Sequence, residues 1–600
     1  MADFKHVVMD IEADGLLDEV TKLHCLVIRD VDTLEVISCR PPGSGYLPFQ
    51  AGLDAMTKAE RIYAHNIIRY DRPALKKLTG YDIPWHKVRD TAVIAGVRWT
   101  DMKARDFAPN AVEMPSDLRG KHSLEAWGYR LGVLKGNYGK DGVKRVRPKP
   151  RWKMTPEELA ESKAKWAHWS KEMQDYCEQD TLVTAKLVHH IQKAGMMPAL
   201  TIEIEQGLAA YLDQQERNGV PFDMEAAARL QGELAERREE LRAELQETFR
   251  PWYRSRGIFT PKRDNRAMGY VAGCPAEKIE LIQFNPASRQ HIADRLKAVY
   301  GWGPTEFTEK GQPKIDEDVL LALPQHIPGV KLLMEYLLVS KRLGQIAEGD
   351  QAWMRLATKD GPEGGKLTGM LHIHGGVLQS GTITHRGAHI APNLAQVPKV
   401  GKPYGVECRS QFTVPEGWVM VGADASGLEL RELSHFLAPM DGGAYGRTVT
   451  EGKNEDGTDI HSVNRDALEL EGKSGRDDAK TFIYAFLYGS GDLNLGRLLG
   501  CKPEEVTLYR KSGRKWTSTR ERLKKREEAT DDYTVACAMK GADLRSRFLK
   551  NLPALERLIT DVKKAAKQKG RLRLHDGRYV PVRHQHAALN SLLQACGAVV

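Results

Sequence analysis

The chain has 600 residues, of which 41% are hydrophobic and 28% charged, and its formal net charge is +9. This length predicts about three to five domains. The composition predicts a soluble globular protein, and no apolar run reaches the roughly 20 residues that cross a bilayer. Eight cysteines without CxxC pairs argue against a zinc ribbon or a disulfide framework. The mild positive charge permits a polyanionic partner without establishing one.

The first predicted strand, residues 4–12, ends in two carboxylates. Asp10 and Glu12 are two residues apart, so both lie on one face of a strand and can reach the same cation. Asp71 follows the sequence HNIIRY, just beyond a second predicted strand. The D-x-E pair alone is weak evidence for a metal site, because the chain has 80 acidic residues.

A basic segment and a predicted helix follow. Residues 135–153 are rich in Lys, Arg, Gly and Pro, which predicts a solvated loop and leaves open a surface that guides a nucleic-acid strand. In the helix, Tyr176 and Asp180 are four residues apart and share one face. From about residue 200 the sequence predicts long charged helices, and Asp223 is a candidate N-cap for one of them. The charged segment 501–533 predicts a solvated helical insertion, with a contact to DNA or a partner left open.

Two runs in the second half carry the most chemical information. The apolar run 419–424 predicts a buried strand that ends in Asp424, a rigid position for a metal-binding carboxylate. Residues 476–489 predict one helix with two stripes. The packing stripe comprises Ala479, Phe482, Ile483 and Phe486, and the other comprises Arg476, Lys480, Tyr484 and Tyr488. Two cations followed by two aromatic rings fit the phosphates and base of a nucleoside triphosphate. Taken alone, however, Asp424 is equally typical of a helix-capping residue, and the helix is equally typical of a solvated basic helix.

The literal text of these runs resembles a known family. DASGLELR followed by RDDAKTFIYAFLYG is similar to the signature motifs of A-family (DNA polymerase I-type) DNA polymerases, especially the phage branch. D-x-E, HNxxxYD and YxxxD, in that order, resemble the motifs of DnaQ-like 3′→5′ exonucleases. The resemblance implies a multidomain α/β and α+β fold, in which an RNase H-like exonuclease precedes a right-hand polymerase. The implied domains are the exonuclease (1–195), the thumb and connecting helices (196–350), the first part of the palm (351–440), the fingers (441–570) and a continued, incomplete palm (571–600).

The resemblance also implies two sets of site residues. Asp10, Glu12, Asp71 and Asp180 would hold two metal ions at the exonuclease site, and Tyr176 would orient the attacking water. At the polymerase site, Asp424 and the carbonyl of Ala425 would hold metal, and Glu429 would exclude a ribose 2′-hydroxyl. His461, Arg476 and Lys480 would contact the triphosphate, with Lys480 also donating a proton to the leaving pyrophosphate, and Tyr484 and Tyr488 would contact the incoming base pair. The implied primer–template contacts are Arg386, Arg409, Asn590 and Gln594.

One residue departs from the family pattern. Where the family has Thr-Gly-Arg, this chain has Thr384-His385-Arg386. No motif with a second palm aspartate follows the LNSLLQ run, so we expect the natural protein to continue past Val600.

The implied activity is DNA-templated DNA synthesis with proofreading, in replication of a phage genome in the cytoplasm of an infected bacterium. The implied ligands are primer–template DNA, dNTPs and Mg²⁺, with two ions at each site and Mn²⁺ able to substitute. A phage helicase-primase and a single-stranded DNA-binding protein are compatible partners. The short segment 252–283 argues against host thioredoxin, which binds a longer insertion in related phage enzymes. The alternatives are an exonuclease whose polymerase half only holds DNA, and a non-catalytic primer–template binding module, whereas Glu429 and the exonuclease motifs disfavour an RNA polymerase.

Overall fold

The computed structural model describes residues 4–40, 45–136, 138, 154–304, 306–308, 311–321, 323, 327–358, 368–471, 474–526 and 528–600. Most of the predicted loop 135–153 lies outside these residues. The chain divides into two units. The first comprises Met1–Gln214, Val377–Ala388 and Gly422–Val600, and the second comprises Gln215–Gly376 and His389–Val421. The five predicted domain ranges stay predictions, since a division into two units does not test them.

A mixed five-stranded sheet begins the first unit. Its strands are β1 (His6–Ala13), β2 (Leu23–Asp30), β3 (Val36–Cys39), β4 (Arg61–Ala64) and β5 (Val88–Asp90), in the spatial order β3-β2-β1-β4-β5. β2 is antiparallel to β1 and β3, whereas β4 is parallel to β1 and β5. Every residue of β2 is buried, as expected for a strand covered on both faces. The strand predicted at 4–12 is confirmed.

Helices cover this sheet and continue the chain into the second unit. They are α1 (Phe49–Lys58), α2 (Asp71–Thr79), α3 (Thr91–Arg98), α4 (Met102–Asp106), α5 (Leu124–Leu131), α6 (Pro156–Trp166), α7 (Lys171–Lys193) and α8 (Ala199–Asn218). α7 packs against β1 and β2. Its first turn is capped by Ser170, whose side chain accepts a hydrogen bond from the backbone of Met173. α7 therefore presents its residues to the strand that carries Asp10 and Glu12.

The second unit is built on long helices around its own apolar core. It contains α9 (Met224–Thr248), α10 (Arg289–Tyr300), α11 (Glu317–Leu321), α12 (Val330–Leu343), α13 (Trp353–Leu356) and α14 (Gly405–Ser410). Its strands are β6 (Val220–Phe222), β7 (Trp252–Phe259), β8 (Ala276–Ile282), β9 (Ala357–Thr358) and β10 (Leu371–Ile373). β7 and β8 form a hairpin within the short segment 252–283. The predicted N-cap is confirmed, because Asp223 accepts a hydrogen bond from the backbone of Ala226 at 2.9 Å.

The remainder of the first unit is mainly helical. The strands β11 (Gly376–Leu378) and β12 (Ala388–Ile390) lie at the points in the sequence where the chain passes between the two units. The helices that follow in the first unit are α15 (Leu428–Asp441), α16 (Ala444–Glu451), α17 (Ile460–Leu468), α18 (Gly475–Leu487), α19 (Asp492–Leu499), α20 (Pro503–Arg510), α21 (Arg514–Lys525), α22 (Asp532–Asn551), α23 (Pro553–Lys569) and α24 (Ala588–Gly597). Between α23 and α24 lies the hairpin of β13 (Arg571–Arg573) and β14 (Tyr579–Pro581). The packing stripe of α18 is buried as predicted. No helix among the described residues is long and apolar enough to span a membrane.

The charged segment 501–533 is helical, as predicted, but it is not simply solvated. α20 and α21 lie within it. Trp516 and Leu523 of α21 are buried against Val535 and Ala536 of α22. Apolar residues at helical spacing therefore anchor this basic segment to the helix that follows it.

The buried strand predicted for 419–424 is wrong. Val419 and Val421 are 80% and 87% exposed, and residues 418–425 belong to no strand or helix. The segment crosses from the second unit to the first at Val421–Gly422. An apolar run forms a strand only where a neighbouring strand pairs its backbone groups. The described residues provide no such neighbour for this run.

Candidate active sites

The first candidate site lies on the N-terminal sheet. β1 carries Asp10 and Glu12, α2 begins at Asp71, and α7 carries Asp180. Asp71 and Asp180 are only 4% and 3% exposed, and Glu12 is 9% exposed. Burial raises the pKa of Asp10 most, and the charged forms of Glu12, Asp180 and Asp71 raise it further, so the four carboxylates form one electrostatic cluster. The structure thus brings together all four acidic residues predicted for the exonuclease site.

Without a bound metal ion, the negative charges of these buried carboxylates are unfavourable, and their pKa values are raised. Burial is the largest cause that raises the pKa of Asp10, of Glu12 and of Asp71, and the neighbouring carboxylates add to it. The pKa of Asp71 rises to about 7. In addition, Oδ2 of Asp10 is buried and has no hydrogen-bond partner among the described residues. Buried carboxylate oxygens in this state fit a divalent cation, which prefers oxygen ligands.

Lys135 belongs to the same cluster, although the sequence did not single it out. Its Nζ lies 2.5 Å from Oδ2 of Asp180 and 4.6 Å from the centre of the Tyr176 ring. Burial alone lowers the pKa of Lys135, but Asp180 and Tyr176 outweigh it and raise the pKa above its ordinary value. Lys135 is the first residue of the basic run 135–153. The sequence showed that this run is basic, but it did not show that Lys135 contacts Asp180.

Cys177 is a second residue that sequence reasoning missed. It lies on α7 between Tyr176 and Asp180, and its Sγ donates to the backbone oxygen of Asp10 at 3.5 Å. Sγ and one carboxylate oxygen each of Asp10 and Glu12 lie within 4.8 Å of one another. Burial raises the pKa of this thiol, so it is protonated when no metal is bound. A thiol is also a poor ligand for Mg²⁺, which prefers oxygen.

The second candidate site is organised by Glu429, in the first turn of α15. Its Oε1 accepts hydrogen bonds from Nη2 of Arg386 and from the hydroxyl of Tyr488, both at 3.0 Å. Burial raises the pKa of Glu429, but hydrogen bonds from its own backbone, Tyr488 and Arg386 lower it below the ordinary value. Asn590 of α24 donates from Nδ2 to the backbone oxygen of Tyr488 at 3.4 Å. Four predicted site residues from four segments are therefore in direct contact.

The exposed stripe of α18 continues from this cluster. The rings of Tyr488 and Tyr484 lie 6.4 Å apart, and the ring of His461 lies 6.1 Å from that of Tyr484. Arg476, at the start of the helix, donates to both carboxylate oxygens of Asp459 at 2.9 and 3.2 Å. Such two-point pairing fixes the guanidinium at the N-terminal end of α18.

Lys480 lies between these groups and is exposed. Among the described residues it forms neither a hydrogen bond nor an ion pair. Because the Lys480 ammonium is on the same helix as Arg476 and the two tyrosines and is not paired with another described residue, it can bind a phosphate.

The other predicted residues are less closely associated. Asp424 and Ala425 lie in the exposed segment that follows Gly422, and Asp424 belongs to no metal-ligand group among the described residues. Gln594 is half-buried one turn after Asn590 on α24. Arg409, in the second unit, is exposed and donates from Nε to the backbone oxygen of Pro398 at 2.8 Å.

His385 occupies a backbone conformation that glycine favours. Its φ is +63°, in the left-handed region. The side chain is 5% exposed, and Nε2 donates to the backbone oxygen of Tyr579 at 3.1 Å. This buried hydrogen bond offsets part of the backbone strain and orients Arg386, the next residue, toward Glu429.

Comparison with known proteins identifies the class. The family model for DNA polymerase family A matches residues 271–596. The chain is 35% identical to the DNA-directed DNA polymerases of Escherichia phage T7 and Enterobacteria phage T3, and each alignment covers 99% of this chain and 88% of the phage protein. A thermostable DNA polymerase I of Thermus aquaticus is 26% identical over 59% of this chain and 37% of its own length.

These matches place the chain among the DNA polymerases. More specifically, it belongs to DNA polymerase family A, and its similarity to the phage members is confirmed over nearly its whole length.

Proposed function

We propose that this protein extends a DNA primer on a DNA template and removes nucleotides from the primer's 3′ end, in replication of a phage genome. The observation that carries the polymerase assignment is the contact of Glu429 with both Arg386 and Tyr488, beside the exposed stripe of α18. The stripe joins a phosphate-binding end to an aromatic end, as a nucleoside triphosphate requires. In this proposal Glu429 excludes a ribose 2′-hydroxyl and so favours deoxyribonucleotides.

In the polymerase reaction the primer 3′-hydroxyl attacks the α-phosphate of the bound dNTP, and pyrophosphate leaves. Arg476 and Lys480 stabilise the charge that develops on the phosphates, and Lys480 donates a proton to the leaving pyrophosphate. Tyr484 packs on the incoming sugar and base, and Tyr488 stacks at the template side of the new pair. Asp424 and the carbonyl of Ala425 are the candidate ligands for Mg²⁺, which would supply charge neutralisation at the phosphates and acidify the attacking hydroxyl.

In the exonuclease reaction water attacks the terminal phosphodiester. Asp10, Glu12, Asp71 and Asp180 would hold the two Mg²⁺ ions whose charge activates water and stabilises the leaving oxygen; Mn²⁺ can substitute. Tyr176 orients the water. Lys135, in contact with Asp180 and Tyr176, neutralises the carboxylates when no cation is bound.

The test is a labelled primer–template assay with Mg²⁺, run with and without dNTPs. We expect Lys480→Ala to abolish extension and retain shortening, because Lys480 has no part in the carboxylate cluster. Asp10→Ala with Glu12→Ala should abolish shortening and retain extension. Lys524→Ala, a change of an equally exposed lysine on α21, is the matched control and should alter neither activity. Extension at the wild-type rate by Lys480→Ala would refute the assignment of the triphosphate site.

One observation favours the alternative of an exonuclease with a DNA-holding polymerase half. Asp424 is exposed in an irregular segment and belongs to no group of three or more metal-ligating side chains among the described residues, whereas phosphoryl transfer by two metal ions needs more than one carboxylate ligand. Shortening in the presence of all four dNTPs, with no extension at any Mg²⁺ or Mn²⁺ concentration, would favour this alternative for residues 1–600. Retained binding without either activity would instead indicate a primer–template binding module.

The partners follow from the proposed activity. Primer–template DNA and dNTPs are the substrates, the host cytoplasm is the location, and a phage helicase-primase and single-stranded DNA-binding protein are compatible with replication. Segment 252–283 consists of the hairpin β7–β8 and the residues that connect its two strands. We therefore expect processivity on long templates to be unchanged by added thioredoxin.

A further inference from the structure

Three side chains with metal-binding atoms meet in the first unit, and none of them is among the residues assigned to either candidate active site. They are Glu432 on α15, His575 in the turn between β13 and β14, and Cys596 on α24. One ligand atom of each lies within 4.8 Å of the other two. We propose that these residues bind a structural zinc ion, with His435 as the fourth ligand.

The strongest argument for a cation is the state of Glu432. Its side chain is 9% exposed, and it accepts no hydrogen bond from the described residues. The nearest basic atom is Nδ1 of His575, at 3.7 Å from Oε2, which is too long for a hydrogen bond. A buried carboxylate without hydrogen bonds is costly, and such groups are normally paired or coordinate a metal.

The ligand types select zinc over the magnesium that the active sites would use. Thiolate and imidazole ligands favour Zn²⁺, whereas Mg²⁺ prefers oxygen ligands. In a tetrahedral zinc site with bonds of about 2.0–2.3 Å, neighbouring ligand atoms lie about 3.3–3.8 Å apart. The separation of 3.7 Å between Glu432 and His575 already meets this geometry. Binding requires Cys596 to release its proton to solvent as the thiolate bonds to the metal.

His435 is placed to complete the tetrahedron. It follows Glu432 by three residues on α15, so the two side chains are neighbours on one helix face. The His435 and His575 rings lie 6.2 Å apart. His435 is exposed, so it can change rotamer to reach the ion.

The ion would join three elements of the polymerase half. α15 carries Glu429, α24 carries Asn590, and the hairpin turn lies between them in sequence. The backbone N–H of His575 donates to Cys596, so the turn and α24 are already in contact without the metal. Zinc would add a cross-link on this contact and hold Glu429 and Asn590 in a constant arrangement, without taking part in the chemistry.

The test uses the 600-residue chain, freed of metal with a chelator and titrated with Co²⁺ as a spectroscopic substitute for zinc. We expect a thiolate-to-Co²⁺ charge-transfer band that saturates at one equivalent and disappears when Zn²⁺ is added. Cys596→Ser should remove the band. Glu432→Gln and His575→Asn should each weaken Co²⁺ binding by about 100-fold or more, because loss of even an outer-shell partner costs about 10- to 100-fold.

Two buried cysteines provide matched controls. Cys408→Ser, in the second unit, should keep the band. Cys177→Ser should also keep it, although Cys177 lies beside the carboxylates of Asp10 and Glu12. A band that is lost in Cys177→Ser and kept in Cys596→Ser would overturn the proposal, as would the absence of any band from the wild-type chain. If Cys596→Ser fails to fold, the variant His575→Asn decides, because His575 is exposed and its replacement should not prevent folding. Unchanged Co²⁺ binding in that folded variant also overturns the proposal.

Discussion

The carboxylates of the N-terminal sheet and Asp424 differ in what holds them. Asp10 and Glu12 lie on β1, which is paired on both sides and covered by α7. Asp424 follows an apolar run that is exposed and unpaired among the described residues. The first site therefore has its ligands assembled by the fold, whereas the position of Asp424 is set by little more than its own segment. Rigid support is what makes a metal site selective and complete, so the two regions should respond differently to substitution and to metal.

The largest expected difference is in activity. Asp10→Asn with Glu12→Gln keeps the shape of both side chains and removes their charge, so shortening should fall by more than about 1,000-fold, since metal-ion catalysis contributes several kcal/mol. Asp424→Asn should leave shortening at the wild-type rate and reduce only extension. Single-turnover assays on single-stranded and primed DNA measure both. If Asp424→Asn impaired shortening as strongly, the two regions would not be separate sites.

A buried ion network offers the second test, because it joins α8, near the sheet, to the β13–β14 hairpin. Arg578 is 2% exposed and pairs with Glu205 of α8 and with Asp576 of its own turn, at 2.6 Å for the Asp576 contact. Arg578→Met would leave two buried carboxylates without their cation, so it should cost about 3–5 kcal/mol of unfolding free energy. Urea denaturation measures this cost, with the exposed Arg573→Met as the control.

If the two regions unfold together, Arg578→Met should lower a single transition. If they unfold separately, it should shift only part of the signal. A loss of less than about 1 kcal/mol, the usual value of an exposed pair, would contradict the burial of the network.

Lys135 sharpens the comparison further, because its ammonium pairs with a carboxylate of the first site, whereas Asp424 has no ion pair among the described residues. Lys135→Met should destabilise the metal-free protein by about 2 kcal/mol, the typical cost of leaving a buried polar partner unsatisfied. The same variant should show a larger increase in melting temperature when Mg²⁺ is added, since no ammonium then competes for the carboxylates. Melting with chelator and with Mg²⁺ tests both statements, and Lys163→Met is an exposed control. An unchanged metal response would show that Lys135 and the metal do not compete.

The sequence predicted well those features that depend on local periodicity. The alternation in β1 placed Asp10 and Glu12 on one face, and the 3.6-residue period separated the buried and exposed stripes of α18. Both patterns are physical consequences of the element that contains them.

Features that depend on distant partners were missed. The contact of Lys135 with Asp180 spans 45 residues and has no periodic signal. The run ending at Asp424 has the composition of a buried strand, but composition does not show whether a neighbouring strand is present. The left-handed backbone of His385 likewise depends on a hydrogen bond to Tyr579, 194 residues away. Pairing over such distances is decided by the whole fold, which one sequence pattern cannot express.

The smallest expected effect concerns His385. We expect His385 to hold Arg386 in place beside Glu429, as the N-terminal sheet holds Asp10 and Glu12 in place. Burial lowers the pKa of His385 to about 4. Because this lies below the ordinary histidine value of about 6.5, the unfolded chain binds the proton more readily than the folded one at intermediate pH. The resulting loss of stability therefore begins as the pH falls below about 6.5 and increases until about 4, where folded and unfolded forms are both protonated.

The matched variant is His385→Asn, since asparagine tolerates a left-handed backbone and does not titrate. Between pH 7 and 5.5, the wild-type chain should lose about 1 kcal/mol more unfolding free energy than this variant. Denaturation across the pH range measures the difference, and the exposed His86→Asn should follow the wild-type curve. Parallel curves for wild type and His385→Asn would contradict the burial of a neutral imidazole at this position. Arg386 would then not be held in place by His385, and the Glu429 cluster would be no better supported than Asp424.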